Sequence, residues 1–143
     1  MISSTMANDS MKILSYIPQR PPFVMVSNLI KATSKQFESD FFVKSDNIFV
    51  EDGILTEAAL IENIAQTCAC GFGYLDGQNG ADAKTGYIGS ISKLQVHQLP
   101  PANCRIVTKV VVTFQLGNIF VITGENFLEG KKLLECEMKI VVQ

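Results

Sequence analysis

One histidine, His97, is all that 143 residues contain. Imidazole is the usual proton carrier near neutral pH and a common zinc ligand, so a zinc centre is not expected. The four cysteines do not repair that lack. Cys68 and Cys70 stand two apart in a helical stretch and so point about 200° apart, which prevents them from holding one metal together. Reduced, buried thiols in a cytoplasmic protein are the expectation, with no metal and no cofactor. Residues 1–10 lack both the charged and the apolar region of a signal peptide, and no apolar run reaches the roughly 18 residues that span a bilayer. The net charge is -2 and the basic residues are scattered singly, which gives no footprint for nucleic acid or a membrane surface. No internal repeat or low-complexity tract interrupts the chain.

A further absence is local. From Ser45 to Ala83 there is no Lys or Arg, and between Ala58 and Leu75 the one charged residue is Glu62. A surface helix carries several charges of both signs, so this one is expected to be wrapped by protein on most sides. A carboxylate placed there either finds hydrogen-bond partners, with Asn63 and Gln66 at hand, or answers burial with a raised pKa that suits acid or base chemistry.

What is present describes one domain. The chain is 47% apolar and 18% charged, which argues against disorder, and its length suits a single core. Residues 1–12 read as a flexible tail and 13–143 as the domain. Pro18, Pro21 and Pro22 exclude a helix through Gln19 and Arg20. Residues 23–30 and 36–43 read as strands, and 45–55, with two Asp-containing turn signals, as an irregular loop. Thr56 and Glu57 suit the start of a helix, which the glycines at 71 or 73 would end. Ala58, Ile61, Ala65, Cys68 and Phe72 recur at spacings of three and four and predict the buried face. A polar loop over 75–84 follows. Thereafter the period becomes alternating, and strands are expected over 87–96, 105–116, 119–128 and 132–142, with Gly117-Asn118 and Glu129-Gly130 as hairpin turns. Ile106, Val110, Val112 and Phe114 should share the inner face. One apolar helix early in the chain, followed by a long antiparallel sheet that must curl, gives an α+β hotdog fold in which the sheet wraps a central helix.

The segment Tyr16-Ile-Pro-Gln-Arg-Pro-Pro-Phe-Val-Met-Val-Ser27 is similar to L-P-H-R-x-P-F-L-L-V-D, and Ile54 to Gln66 is similar to I-M-P-G-V-L-I-x-E-A-x-A-Q. Pro101-Ala102-Asn103 stands where P-G-D would follow. On these motifs, in this order, the chain resembles the FabZ/FabA-like 3-hydroxyacyl-acyl carrier protein dehydratases over nearly its whole length. The resemblance implies a hotdog dimer with an acyl-thioester tunnel at the subunit interface. It also implies a His from one subunit that removes a proton beside the thioester carbonyl, and a Glu or Asp from the other that assists loss of the 3-hydroxyl. Glu62 falls on the acidic position and Gln66 on the Gln one turn later.

The same alignment exposes a departure. Counting back from Glu62 puts Asn47, Ile48, Phe49, Val50 and Glu51 on the family's G-H-F-P-G, so Ile48 stands where the base belongs, and Asn47, Ile48, Phe49 and Gln66 are expected to bind the substrate beside the catalytic Glu62. Gln19 replaces the His of the opening motif, and Glu57 replaces the Gly of M-P-G. An isoleucine accepts no proton. His97, Asp46 and Glu51 are substitute bases to consider, and Arg20, Lys93 and Arg105 are cations that can meet a phosphate. Three readings stay open: a dehydratase-like subunit, as a homodimer or a heterodimer whose partner supplies the His; an acyl-thioester thioesterase that uses Glu62; and a non-catalytic binding module. The ligand in each is an acyl thioester on acyl carrier protein or coenzyme A.

Overall fold

The computed structural model describes residues 10–82 and 84–143, so most of the tail expected over 1–12 lies outside the described residues. The described chain begins with a short helix α1 (Ser10–Tyr16), followed by strands β1 (Asn28–Ala32) and β2 (Gln36–Phe42). Two-residue strands β3 (Val50–Glu51) and β4 (Ile54–Leu55) pair with each other just before the long helix α2 (Glu57–Gln78). Four long strands complete the chain: β5 (Gly86–Val96), β6 (Arg105–Leu116), β7 (Ile119–Leu128) and β8 (Lys131–Val142). The six longer strands form one open antiparallel sheet in the order β1-β2-β6-β7-β8-β5, with α2 packed on one face, which is the hotdog arrangement.

The last three strands lie where alternation placed them, within one residue. The segment expected as a strand over 23–30 enters the sheet only at Asn28, because residues 20–25 are irregular around Pro21 and Pro22. Phe114 does not share the inner face with Ile106, Val110 and Val112. A bulge between Val112 and Phe114 shifts the register, and the ring is 54% exposed.

Helix α2 begins where expected, with Thr56 in extended conformation at the N-cap position and Glu57 in the first turn. It does not stop at Gly71 or Gly73 but runs to Gln78, absorbing the first four residues of the expected loop. Both glycines serve close packing and not termination. A Cβ on Gly71 would fall within the ring of Phe37, and one on Gly73 would lie 2.6 Å from the carbonyl oxygen of Tyr16 in α1.

The buried face also differs from the one predicted. Ala59, Leu60, Asn63, Ile64, Thr67, Cys70, Gly71 and Tyr74 meet the sheet and α1; of the predicted positions Cys68 is buried, whereas Ala58 is exposed and Ile61, Ala65 and Phe72 are half-buried. Apolar residues occur on both sides of this helix, so periodicity alone has no basis for choosing between them. The core that the helix covers includes Met25, Leu29, Phe37, Ile106, Val110, Ile122, Leu134 and Met138.

Candidate functional site

Glu62 sits on α2 beside the buried face and is half-buried, not fully enclosed. Its Oε2 accepts a hydrogen bond of 2.8 Å from Gln66 Nε2, one turn later. Gln66 is itself 1% exposed and its amide is fully engaged: Nε2 also donates to the carbonyl of Phe23 at 2.9 Å, and Oε1 accepts from the amide of Met25 at 2.7 Å. The irregular segment 23–25 thus forms one wall beside the acid, and the Phe23 ring on it is 56% exposed.

The loop that the resemblance aligns with the base folds back over the start of α2, with Thr56 N–H donating to Phe49 C=O at 3.0 Å. Ile48 stands 46% exposed at its tip. Asn47 Oδ1 accepts from the Phe49 amide at 2.8 Å, a local turn, while its Nδ2 contacts the Met25 sulfur at 3.7 Å. Phe49 packs partly buried on the core. Ile48 and Asn47 also line an open groove of about 540 Å³ with Val24, Val26, Phe42 and α1.

The substitute bases are elsewhere or unsupported. His97 bonds Glu135 Oε2 at 2.8 Å. Glu135 alternates with the buried Leu134 and Cys136, so this pair lies on the face of the sheet away from α2. The hydrogen bond from His97, with help from Lys132, holds the Glu135 carboxyl below its ordinary pKa. Asp46 and Glu51 are exposed. Of the three cations considered for phosphate, Arg105 pairs with Asp40 at 3.1 Å and Lys93 with Glu137 at 3.6 Å, while Arg20 donates to the backbone carbonyls of Ile17 and Gln19. Burial pushes the Cys68 thiol up to about 12 and Cys136 to about 11, so neither is a ready nucleophile. No group of His, Cys, Asp and Glu that could hold a metal occurs among the described residues.

A buried polar cluster escaped the sequence reading. Asn63 Nδ2 donates to the Met25 carbonyl at 2.6 Å, and its Oδ1 accepts from Thr108 Oγ1 and from Asn126 Nδ2, the latter at 2.9 Å. Thr67 Oγ1 donates to the Asn63 carbonyl at 2.7 Å and meets Ser39 Oγ at 2.6 Å. Asn63, Thr67, Ser39, Thr108 and Asn126 are each 0% exposed. A signal was available, since Thr108 interrupts the inward alternation Ile106, Val110, Val112 with a polar side chain.

On the other flank of α2, the half-buried residues Ala65, Ala69 and Phe72 face a crevice of about 30 Å³ closed by Gly86, Tyr87 and Ile88 of β5 and by Ile140 and Val142 of β8. Ala65 and Ala69 follow Glu62 at helical spacing, so the crevice continues along the side of the helix that carries the acid. Phe72 stands at its far end, its ring 5.1 Å from Phe37 and 4.5 Å from Phe120.

Residues 11–141 match the family described as ApeP-like, ApeP dehydratase. The chain is 23% identical over 141 residues to the 3-hydroxyacyl-[acyl-carrier-protein] dehydratase FabZ of Campylobacter lari, covering 94% of this chain and 97% of that protein. Among solved structures, the dehydratase heterocomplex ApeI:P from Xenorhabdus doucetiae contains a chain that matches with a TM-score of 0.85 at 16% identity, covering 92% of this chain and 90% of that one. A homologue of HP0420 from Helicobacter felis matches with a TM-score of 0.71 at 15% identity, covering 92% and 99%. At such identities these structures establish the fold.

Proposed function

Because this chain belongs to the ApeP-like dehydratase family, we propose that it is a dehydratase subunit for 3-hydroxyacyl thioesters of acyl carrier protein, supplying the acid while a different hotdog subunit supplies the base. The observation that carries this reading is the split within the chain. Glu62 is held in place by an anchored glutamine, while the motif alignment puts Ile48 at the position of the base and the one histidine is tied to Glu135 on the opposite face.

In the proposed reaction the partner's base takes a proton from C2 of the substrate, and those electrons form the C2=C3 bond. The C3–O bond breaks, and the departing hydroxyl takes the proton of Glu62 and leaves as water. Return of the C2 proton to Glu62 resets the site. Neither residue suffices alone, because one group must accept a proton while the other gives one.

The proposed contact with the second subunit runs along β5. Its inward residues Ile88, Ile91 and Val96 oppose Ile140, Met138 and Leu134, yet each is about 40% exposed, because α2 lies mainly over β1, β2 and β6. The ApeI:P structure, described as a dehydratase heterocomplex, supports the pairing by analogy.

The test is hydration of a 2-enoyl carrier-protein thioester by the purified chain alone, and by the chain mixed with a hotdog subunit that carries the loop histidine. The expected result is turnover only in the mixture, lowered at least about 100-fold by Glu62→Gln in this chain. Ile48→His should confer hydration on the chain alone. Turnover by the unmodified chain alone, or release of free acid in place of hydration, would overturn the reading.

A further inference from the structure

Two side chains one turn apart on α2 grip both polar groups of a single residue. Gln66 Oε1 accepts from the Met25 N–H at 2.7 Å and Asn63 Nδ2 donates to the Met25 C=O at 2.6 Å. Met25 belongs to no strand or helix, so these bonds do for it what a neighbouring strand would do. Asn63 is in turn fixed from the sheet by Thr108 and Asn126. The chain of bonds therefore runs from β6 and β7 through Asn63, Met25 and Gln66 to the Glu62 carboxylate without leaving the protein interior until its last member.

The fold does not demand this arrangement. A buried polar network stabilises no better than well-packed apolar residues of the same size, and the segment that Ile54 to Gln66 resembles has Ala where Asn63 stands. What the network achieves is local. A glutamate on a half-open helix face has three rotatable bonds, and the Gln66 N–H selects one arrangement by donating to Oε2. Gln66 can do so only while Phe23 and Met25 hold the rest of its amide. With Oε2 engaged by that donor, Oε1 is the oxygen left to face a substrate.

Resting on the reading of Glu62 as the acid, we propose that Asn63 is a positioning residue: through its clasp on Met25 it secures Gln66 and so holds the Glu62 carboxyl with Oε1 free toward the substrate. The clasp acts through Glu62 and touches no substrate itself.

The experiment replaces the network's polar core with apolar residues of similar size, Asn63→Leu with Thr108→Val and Asn126→Leu, so that no polar side chain of the core is left without its partner and the Met25 carbonyl alone loses its donor, and assays it in the mixture with the histidine-bearing subunit. The expected result is a kcat at least about tenfold lower with KM within twofold, and no further loss when the triple variant is added to Glu62→Gln. Exchange of the Met25 amide, measured relative to that of Ile122 in β7, should quicken at least tenfold. An unchanged kcat, or a loss that multiplies with that of Glu62→Gln, overturns the proposal, as does unchanged Met25 exchange. If the wild-type mixture does not turn over while the triple variant still frees Met25, the fault lies with the assignment of Glu62, and the clasp is overturned as a catalytic device and remains a feature of the fold.

Discussion

The two edges of the sheet receive opposite treatment. β1 is five residues long, buries Leu29 and Ala32, carries the exposed Lys31 and is covered by both helices. β5 is eleven residues long, every one of them exposed, with Tyr87, Ile88, Ile91, Leu94 and Val96 among them. Proteins ordinarily blunt an edge with brevity, charge or a cover, as β1 does. A long bare apolar edge is what a strand awaiting another chain presents. One side of this domain is thus closed off, and the other is the edge along which the proposed second subunit would pair.

Breaking the contrast outright should produce the largest effect. Ile91→Asp on β5 places a carboxylate on the inward face of the bare edge, and we expect it to weaken association with a second hotdog subunit by about 100-fold, as several kcal/mol of desolvation would require. Lys31→Asp on β1 should leave the sedimenting mass unchanged. Equal effects at both edges would remove the distinction.

The covered side can be tested through the helix that covers it. Gly71→Val drives a side chain into Phe37 of β2 and should cost about 1–3 kcal/mol, read as a lower urea midpoint. Thr108→Val leaves Asn63 Oδ1 with only the Asn126 donor and should cost about 1 kcal/mol in the same assay.

Chemical labelling sharpens the contrast further. Cys68 lies where α2 faces β5, and burial raises its thiol to about 12, so it should resist a thiol reagent at pH 8 until the chain unfolds. Fast labelling of the folded chain would mean that the crevice opens.

The smallest effect belongs to the end of the bare edge. Glu135 has its pKa lowered, chiefly by the hydrogen bond from His97. A depressed carboxylate contributes stability that is present above its ordinary value of 4.5 and is lost as pH falls through the lower folded value. His97→Gln should flatten that acid limb of a stability profile slightly and leave hydration unaffected.

How much of this was readable in the sequence depended on whether a signal was local. Alternation along β6, β7 and β8 reflects one face against a core and the other against water, and it gave their positions within a residue. The reach of α2 was not readable, because a glycine that ends a helix and a glycine that admits Phe37 look alike until the neighbour is known. The site divided the same way. Glu62 announced itself as a lone acid among apolar residues, whereas the clasp joins positions 25, 63, 66, 108 and 126, whose proximity no spacing reveals.

Gly71 has a reach beyond its own contact. By giving Phe37 a seat on the helix it also fixes Phe72, whose ring leans edge-on against Phe37 and forms the end of the crevice below Glu62. The depth available to anything lying along that helix is therefore governed from behind its wall, by an atom that is missing. If the proposed acyl chain lies along this crevice, a change at position 71, on the back of α2, would alter its depth without replacing any residue that lines it.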